Sequence, residues 1–374
     1  MKTFLYLHYL YLTLLGLHYS SGTVWASNTN PDSTSIPKYE ECTHPGKYEP
    51  IGVLASCCTG KKDWTFSYSY MDVFSRGNKM GIDNVTDDLV FQQYGYMMAT
   101  NTMQMHMHMM MVMYGFSNRF SAMGMVTYNQ NNMTMNGMSI SQMSSMTGMQ
   151  MGNTYMPTSS YTSGLGDTKL FLFYKLRQEC KYNIILGAGA NIPTGSTTLT
   201  GATILGDNQR LPYPMQLGTG TWDIMPSITY FGQHLFSSHE RLLSYGMEAR
   251  AIIAPANNSQ GYSYGDQYSL TAWLSYKFVN WASISLRVKG NSQGQISGFD
   301  PGVYPAMFND PNSNPSNYGG LRVDTFVGMN FYLNKTLFKN LRLLLEYGIP
   351  VFQNLNGTQM SEKGILHTGI KYSF

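Results

Sequence analysis

The chain has 374 residues, of which only 12% are charged and 14% are aromatic, with a formal net charge of +3. That charge density is about half the ~25% usual for soluble domains, and a balance so near neutral gives nucleic acid no electrostatic footprint. With a mean hydropathy of -0.22, the composition suits a wall that is apolar on one side and polar on the other better than an ordinary soluble enzyme.

The first 26 residues read as a secretory signal peptide: Lys2 as the positive start, Phe4 to Leu17 as the apolar core, and Val24-Trp25-Ala26 as the cleavage pattern. No later run reaches the ~18 apolar residues that a membrane helix needs. Residues 27–62 carry Pro31, Pro37, Pro45 and Pro50 and no strand alternation, so they are expected to form an irregular extension, periplasmic or inserted into a lumen. The four cysteines, Cys42, Cys57, Cys58 and Cys180, make no CxxC spacing. An oxidised pair involving Cys42 fits an exported protein, and the spacing leaves its partner open.

From about residue 63 onward, sidedness repeats every second residue. In "WASISLRVKG", Ala282, Ile284, Leu286 and Val288 oppose Ser283, Ser285, Arg287 and Lys289; "LRVDTFVGMNFYL" and "GILHTGIKYSF" follow the same rule. Twelve such segments are expected, near 63–73, 101–115, 119–129, 165–178, 181–192, 217–231, 242–254, 267–278, 281–291, 320–333, 341–352 and 364–374. Each is about the ~10 residues that cross a bilayer at a tilt. Long connections follow the odd-numbered segments, including 130–164 and 353–363, and tight ones such as Ser117-Asn118 follow the even. Loops sorted by length onto two rims point to an all-β, transmembrane antiparallel β-barrel of about twelve strands over residues 63–374, ending on Phe374. Lipid supplies no hydrogen-bond partner, so a spanning sheet must close on itself. Trp64, Tyr128, Trp222, Tyr230, Trp273 and Trp281 are expected in the interfacial girdles.

The stretch "NTMQMHMHMMMVMYGF" puts Met103, Met105, Met107, Met109, Met111 and Met113 on one face and Gln104, His106, His108, Met110 and Val112 on the other. If the polar face is the lumen, the methionine stripe faces lipid. A two-residue turn at Ser117-Asn118 would pair residues whose numbers total 235, gathering His106, His108, Met110, Met123 and Met125 inside. Two readings of that patch stand: ordinary packing by an adaptable side chain, or a soft-metal site, since thioether and imidazole favour Cu(I). The Met-rich segment 130–163 would lie above it.

Charged residues on the inward faces, Arg287, Lys289, Arg322, Asp324, Glu346 and Lys371, are the expected pore lining, with Asp167–Lys169 and Arg322–Asp324, two apart, and Arg342–Glu346, four apart, as expected pairs. The glycines of "GLGDTK" and "LGAGANIPTG" lie in or beside strands and make no phosphate cradle. No Ser/His/Asp order or carboxylate pair stands out, and a non-enzymatic protein is expected.

Several stretches resemble an outer-membrane barrel family of proposed transporters named for the meta-cleavage pathway of phenol degradation: "TFSYSYMDV" (65–73), "TNTMQMHMHMMMVMYGFSNRFSAMGMVTY" (100–128), "SGLGDTKLFLFYKL" (163–176), "ANIPTGS" (190–196), "LPYPMQLGTGTWDIMPSITYFGQ" (211–233) and the terminal "EYGIPVFQNLNGTQ...GIKYSF". They touch most of the mature chain. Where relatives carry a His/Met-rich segment before the first strand, this chain has "GVLASCCTGKKDW", with Cys57 and Cys58. The resemblance implies a bacterial outer-membrane barrel that transports aromatic or other hydrophobic small molecules. The expected partners are outer-membrane lipid, a small-molecule solute and, through the strand ending in Phe374, the assembly machinery. Three classes stay open: passive transporter or channel, soft-metal (copper) binding or efflux-associated protein, and structural barrel.

Overall fold

The computed structural model describes residues 48–54, 60–138, 157–179, 181–203, 206–236, 241–307, 309–333 and 340–374. The four cysteines, the signal segment and most of the Met-rich 130–163 segment lie outside the described residues. In chain order the elements are β1 (Trp64–Gly81), β2 (Asp83–Val85), α1 (Asp87–Gln92), β3 (Met98–Gly115), β4 (Phe120–Gly137), β5 (Pro157–Leu165), β6 (Thr168–Gln178), β7 (Tyr182–Ile192), β8 (Thr200–Thr203), β9 (Gly206–Arg210), β10 (Asp223–Leu235), β11 (Leu242–Ile252), β12 (Tyr262–Ser263), β13 (Gln267–Val279), β14 (Ala282–Gln293), β15 (Ser297–Gly298), β16 (Gly320–Leu333) and β17 (Leu341–Ser373).

The main sheet runs β17-β16-β14-β13-β11-β10-β7-β6-β4-β3-β1, and β17 pairs with β1 to close it. Eleven elements therefore form a closed antiparallel β-barrel, with β2 beside β1 and β5 along β4 as two further strands. A ring in which every neighbour is antiparallel needs an even number of passes, and β17 resolves the parity. Its first part pairs with β16 from Leu341 to Leu355, and its second pairs with β1 from Leu355 to Ser373. Asn340 Nδ2 donates to the Ser373 carbonyl at 3.3 Å, whereas a straight strand of that length would separate its ends by about 110 Å. The element folds back on itself, so the chain crosses the wall twelve times.

The strands depart from the expected boundaries in several places, β1 first, which is expected over 63–73 and runs on to Gly81. The long loop expected over 353–363 is instead the tip of the β17 hairpin. Residues 217–222 are not strand, and β10 begins at Asp223. The loop expected over 130–164 is shorter, because β4 runs on to Gly137 and β5 starts at Pro157. β5 and β6 both lie antiparallel to β4, so they form one line interrupted at Gly166-Asp167.

The outer face is apolar through most of the ring: Ile284, Leu286 and Val288 on β14 and Val327, Met329 and Leu333 on β16 are exposed, while Ser283, Ser285, Arg287, Asp324, Phe326 and Asn330 are buried inward. Of the expected girdle residues, Trp64, Tyr128, Trp222, Tyr230 and Trp281 are exposed. Trp273 is a correction, being only 4% exposed. It lies on the inward face of β13, edge-on to Phe231 with ring centroids 5.3 Å apart. Gly246 on the neighbouring β11 makes room, since a Cβ there would collide with the indole. The exposed outer face generates a direct test. Val327→Arg should destabilise the barrel in lipid by about 2–4 kcal/mol, the cost of a cation near the bilayer midplane, measured by denaturant unfolding from vesicles.

Candidate functional site: the barrel lumen

The methionine stripe faces inward, opposite to the expectation. Met103 and Met113 are buried, while Met110 is 59% exposed and Val112 is exposed with it. The partner strand fixes the sense. β1 sets Tyr68 beside Met110 and Phe66 beside Val112, and Trp64, Phe66 and Tyr68 are all exposed, so the even positions of β3 must face out with them. The β3–β4 partners total 236 rather than 235, giving His108–Tyr128, Met111–Met125 and Met113–Met123. Ser117 Oγ accepts from the Arg119 and Phe120 amides, and the turn is centred half a residue later, on Asn118. The expected constellation is therefore split by the wall: His106, His108 and Met110 lie outside, Met123 and Met125 inside. Among the described residues, no three His, Cys, Asp or Glu side chains converge on a metal position.

The outward histidines are paired laterally. Tyr70 Oη and His106 Nδ1 are 2.7 Å apart, Tyr68 Oη and His108 Nδ1 2.8 Å. Asp72 lies 3.6 Å from His106 and accepts from Gln104 Nε2. Such pairing lowers the cost of polar groups on an otherwise apolar outer face.

The inward charges gather on one side. Arg287 donates from Nε and Nη2 to Glu346 at 2.8 and 2.6 Å, and its guanidinium lies 3.7 Å from the Phe326 ring centre. Arg322 bonds both Asp324 and Glu362, Arg250 bonds Glu248, and Lys289 stands opposite Asp324 in register. The expected Arg342–Glu346 pair does not form. Residues four apart on a strand point the same way but sit ~13 Å from each other, and each finds a nearer partner, Arg342 in Glu49 and Glu346 in Arg287. Asp324 Oδ1, Glu362 Oε2, Arg250 Nε and His367 Nε2 are buried with no hydrogen-bond partner. Six strands round the ring from β14, β4 presents thioethers and amides instead.

Both mouths are filled by the chain itself. At the end where the short turns lie, residues 48–54 enter the lumen. Glu49, 1% exposed, is 3.1 Å from Arg342 and 3.5 Å from Lys371, so Lys371 lines the lumen through this contact. The Glu49 carbonyl accepts from Asn330 Nδ2 at 3.2 Å. Tyr48 packs edge-on to Tyr332, and Val53 joins Met113, Met123, Phe171, Phe173 and Trp273 in one apolar cluster. This lumen stopper had one sequence signal, the proline-rich extension without alternation.

At the opposite rim the segments 193–222 and 294–319 fold inward. Asn129 and Asn131 donate to the Leu217 and Pro214 carbonyls, and Thr162 to that of Met215. Asp167 holds the first segment by accepting from the Gly195 and Thr219 amides, Thr219 Oγ1 and Asn191 Nδ2. Gly195 and Gly218 approach so closely that a Cβ on either would lie within 2.8 Å of the other's Cα. The glycines that make no phosphate cradle thus serve this crossing. Tyr213, Tyr262 and Tyr318 interlock edge-to-face above it. Asp310 caps its turn by accepting from Asn312 N and Nδ2 and Ser313 Oγ.

Two outcomes follow from these contacts. Glu346→Ala leaves Arg287 buried without its partner and should cost about 3–5 kcal/mol, whereas Arg287→Met/Glu346→Leu should return close to wild-type stability; unfolding titrations in lipid read both. Burial pushes the Asp310 carboxyl up to about 6, against the hydrogen bonds from Asn312 and Ser313. A raised carboxyl favours the folded cap while protonated, so its contribution is full below the ordinary value of 3.8 and is lost as pH rises through about 6. Hydrogen exchange of residues 309–318, corrected for intrinsic rate, should be slower relative to the rest of the barrel at pH 4 than at pH 7, and Asp310→Asn should flatten the difference.

No protein-family model matches this chain, and no curated protein does. Among solved structures it is similar to an outer membrane channel from Pseudomonas putida F1, at 11% identity, covering 84% of this chain and 97% of that one with a TM-score of 0.52. A Pseudomonas aeruginosa FadL homologue (10% identity, 88% and 96% covered, TM-score 0.38) and the CymD monoaromatic hydrocarbon channel (10%, 84% and 88%, 0.34) also align. The fold is that of outer-membrane β-barrel channels.

Proposed function

We propose that the protein is a passive channel for small molecules in a bacterial outer membrane, closed at rest by its own chain at both mouths. The observation that carries this reading is the lumen between the two stoppers: a barrel wall lined on one side by Arg287, Lys289, Arg322, Asp324 and Glu346 with polar atoms left unpaired, and on the other by thioethers. An entirely structural barrel has no need to bury unpaired polar groups, which cost about 1–3 kcal/mol each. A charged belt facing an apolar, polarizable wall suits a solute with one polar end and one hydrophobic body. The resemblance to the phenol meta-cleavage family favours aromatic or hydrophobic solutes within that class. The outward apolar band would contact outer-membrane lipid, and the strand ending in Phe374 would be read by the assembly machinery.

The stopper at residues 48–54 gives the test. In planar bilayers the wild type should conduct rarely or at low amplitude, and deletion of residues 48–54 should raise mean conductance several-fold. Glu49→Gln, which weakens the hold on Arg342 and Lys371, should raise the frequency of opening without changing the open amplitude. A deletion variant that inserts as a folded barrel and neither conducts nor admits solute into vesicles would refute the channel.

A further inference from the structure

The reversal of the methionine stripe places a cluster of thioethers in the lumen, which the channel reading uses only as an apolar wall. Met103, Met133, Met135 and Met215 are buried together, with Met105 and Met360 packed against them. These thioethers come from four sources: β3, β4, the inward segment that carries Met215, and, for Met360, the returning half of β17. Met103 and Met133 are direct cross-strand partners, a relation that sets Cβ atoms about 4.5–5.5 Å apart. From this group the stripe continues down β3 through Met107, Met109 and Met111, each ~7 Å from the next, to the Met111–Met125 and Met113–Met123 pairs at the opposite stopper.

A greasy seal would explain methionine alone. It does not explain Asn131. That residue is 2% exposed and stands opposite Met105 in the β3–β4 register. Its Nδ2 donates to the Pro214 carbonyl, and its Oδ1 is buried without a donor. Asn129, opposite Met107, repeats the arrangement: Nδ2 donates to the Leu217 carbonyl and Oδ1 has no donor. Two acceptor oxygens therefore go unsatisfied on residues whose cross-strand partners are methionines, and thioethers are themselves weak acceptors that cannot donate. Everything these groups offer is electron density.

We propose that Met103, Met105, Met133 and Met215, with the Asn131 carbonyl oxygen, form a binding site for a soft monovalent cation, Cu(I) or Ag(I). Thioethers select such ions over hard ones, and a neutral ligand set suits a single positive charge better than a double one. The site lies where the inward segment meets the wall, so an ion there bridges β3, β4 and residue 215 of the cap. The lower methionines continue the same ligand type through the lumen. His106, His108 and Met110 take no part, being on the other face of the wall. Binding at this site is independent of whether the channel conducts.

The test uses the full mature chain in detergent micelles, labelled at methionine methyl carbons and titrated with Ag(I), which is stable in air. Methyl resonances report methionines alone, so the cysteines are silent. Single Met→Leu substitutions, volume-conserving swaps that cores tolerate, assign the signals. Ag(I) is expected to move the methyls of Met103, Met105, Met133 and Met215 at about one equivalent per site while that of Met110 stays in place. Met103→Leu/Met105→Leu/Met133→Leu/Met215→Leu should weaken the Ag(I) affinity read from the remaining shifts at least tenfold, and Met110→Leu should leave it unchanged. The wild-type spectrum alone can overturn the proposal: lumen methyls that do not move with excess Ag(I), or that move no more than Met110, mean the cluster is packing only.

Discussion

The wall depends on one constraint: an unpaired strand edge leaves a row of N–H and C=O groups without partners beside an apolar outer face, so each strand edge needs another strand. Closure of β17 onto β1, from Thr65–Ser373 to Gly81–Leu355, removes the last free edge. It also forces the even number of passes, and so explains why a single 33-residue element must turn back within itself. Everything inside the ring inherits its direction from this pairing. A side chain faces in or out because its partner across the ladder does, whatever its own polarity.

That rule separates what was legible in the sequence from what was not. The positions of the spanning segments could be read because apolar residues alternate with Ser, Asn, Arg and Lys along β14, β16 and β17, where polarity and facing agree. The inward charges at Arg287, Asp324 and Glu346 follow from the same agreement. On β3 the two disagree. Its outward positions carry Gln104, His106 and His108, made tolerable by Asp72, Tyr68 and Tyr70 on the adjacent strand, and its inward positions carry methionine because the lumen beside them is filled with Val53 at one end and Leu211 and Met215 at the other. Neither neighbour is visible in the segment itself. Facing on such a strand is readable only from its partner, here from Trp64, Phe66 and Tyr68 of β1.

The contents of the lumen were legible only in outline. A proline-rich extension ahead of the first strand signalled chain without a place in the wall, whereas the glycines at 164, 166 and 195 could be read only as making no phosphate cradle. What they build could not be inferred, because it rests on contacts between residues far apart in sequence: Glu49 with Arg342 and Lys371, and Asp167 with Gly195 and Thr219. Trp273 shows the same limit, since its place inside depends on a glycine on the next strand.

The seat of Glu49 carries a consequence for the order in which the molecule is built. Both of its cationic partners belong to the closing hairpin, one on each arm, and Arg342 alone lies 293 residues further along the chain than Glu49. Glu49 must therefore wait, unanchored, until residues made long after it have arrived. The stopper then locks only in a completed cylinder, and an unfinished one is left unsealed.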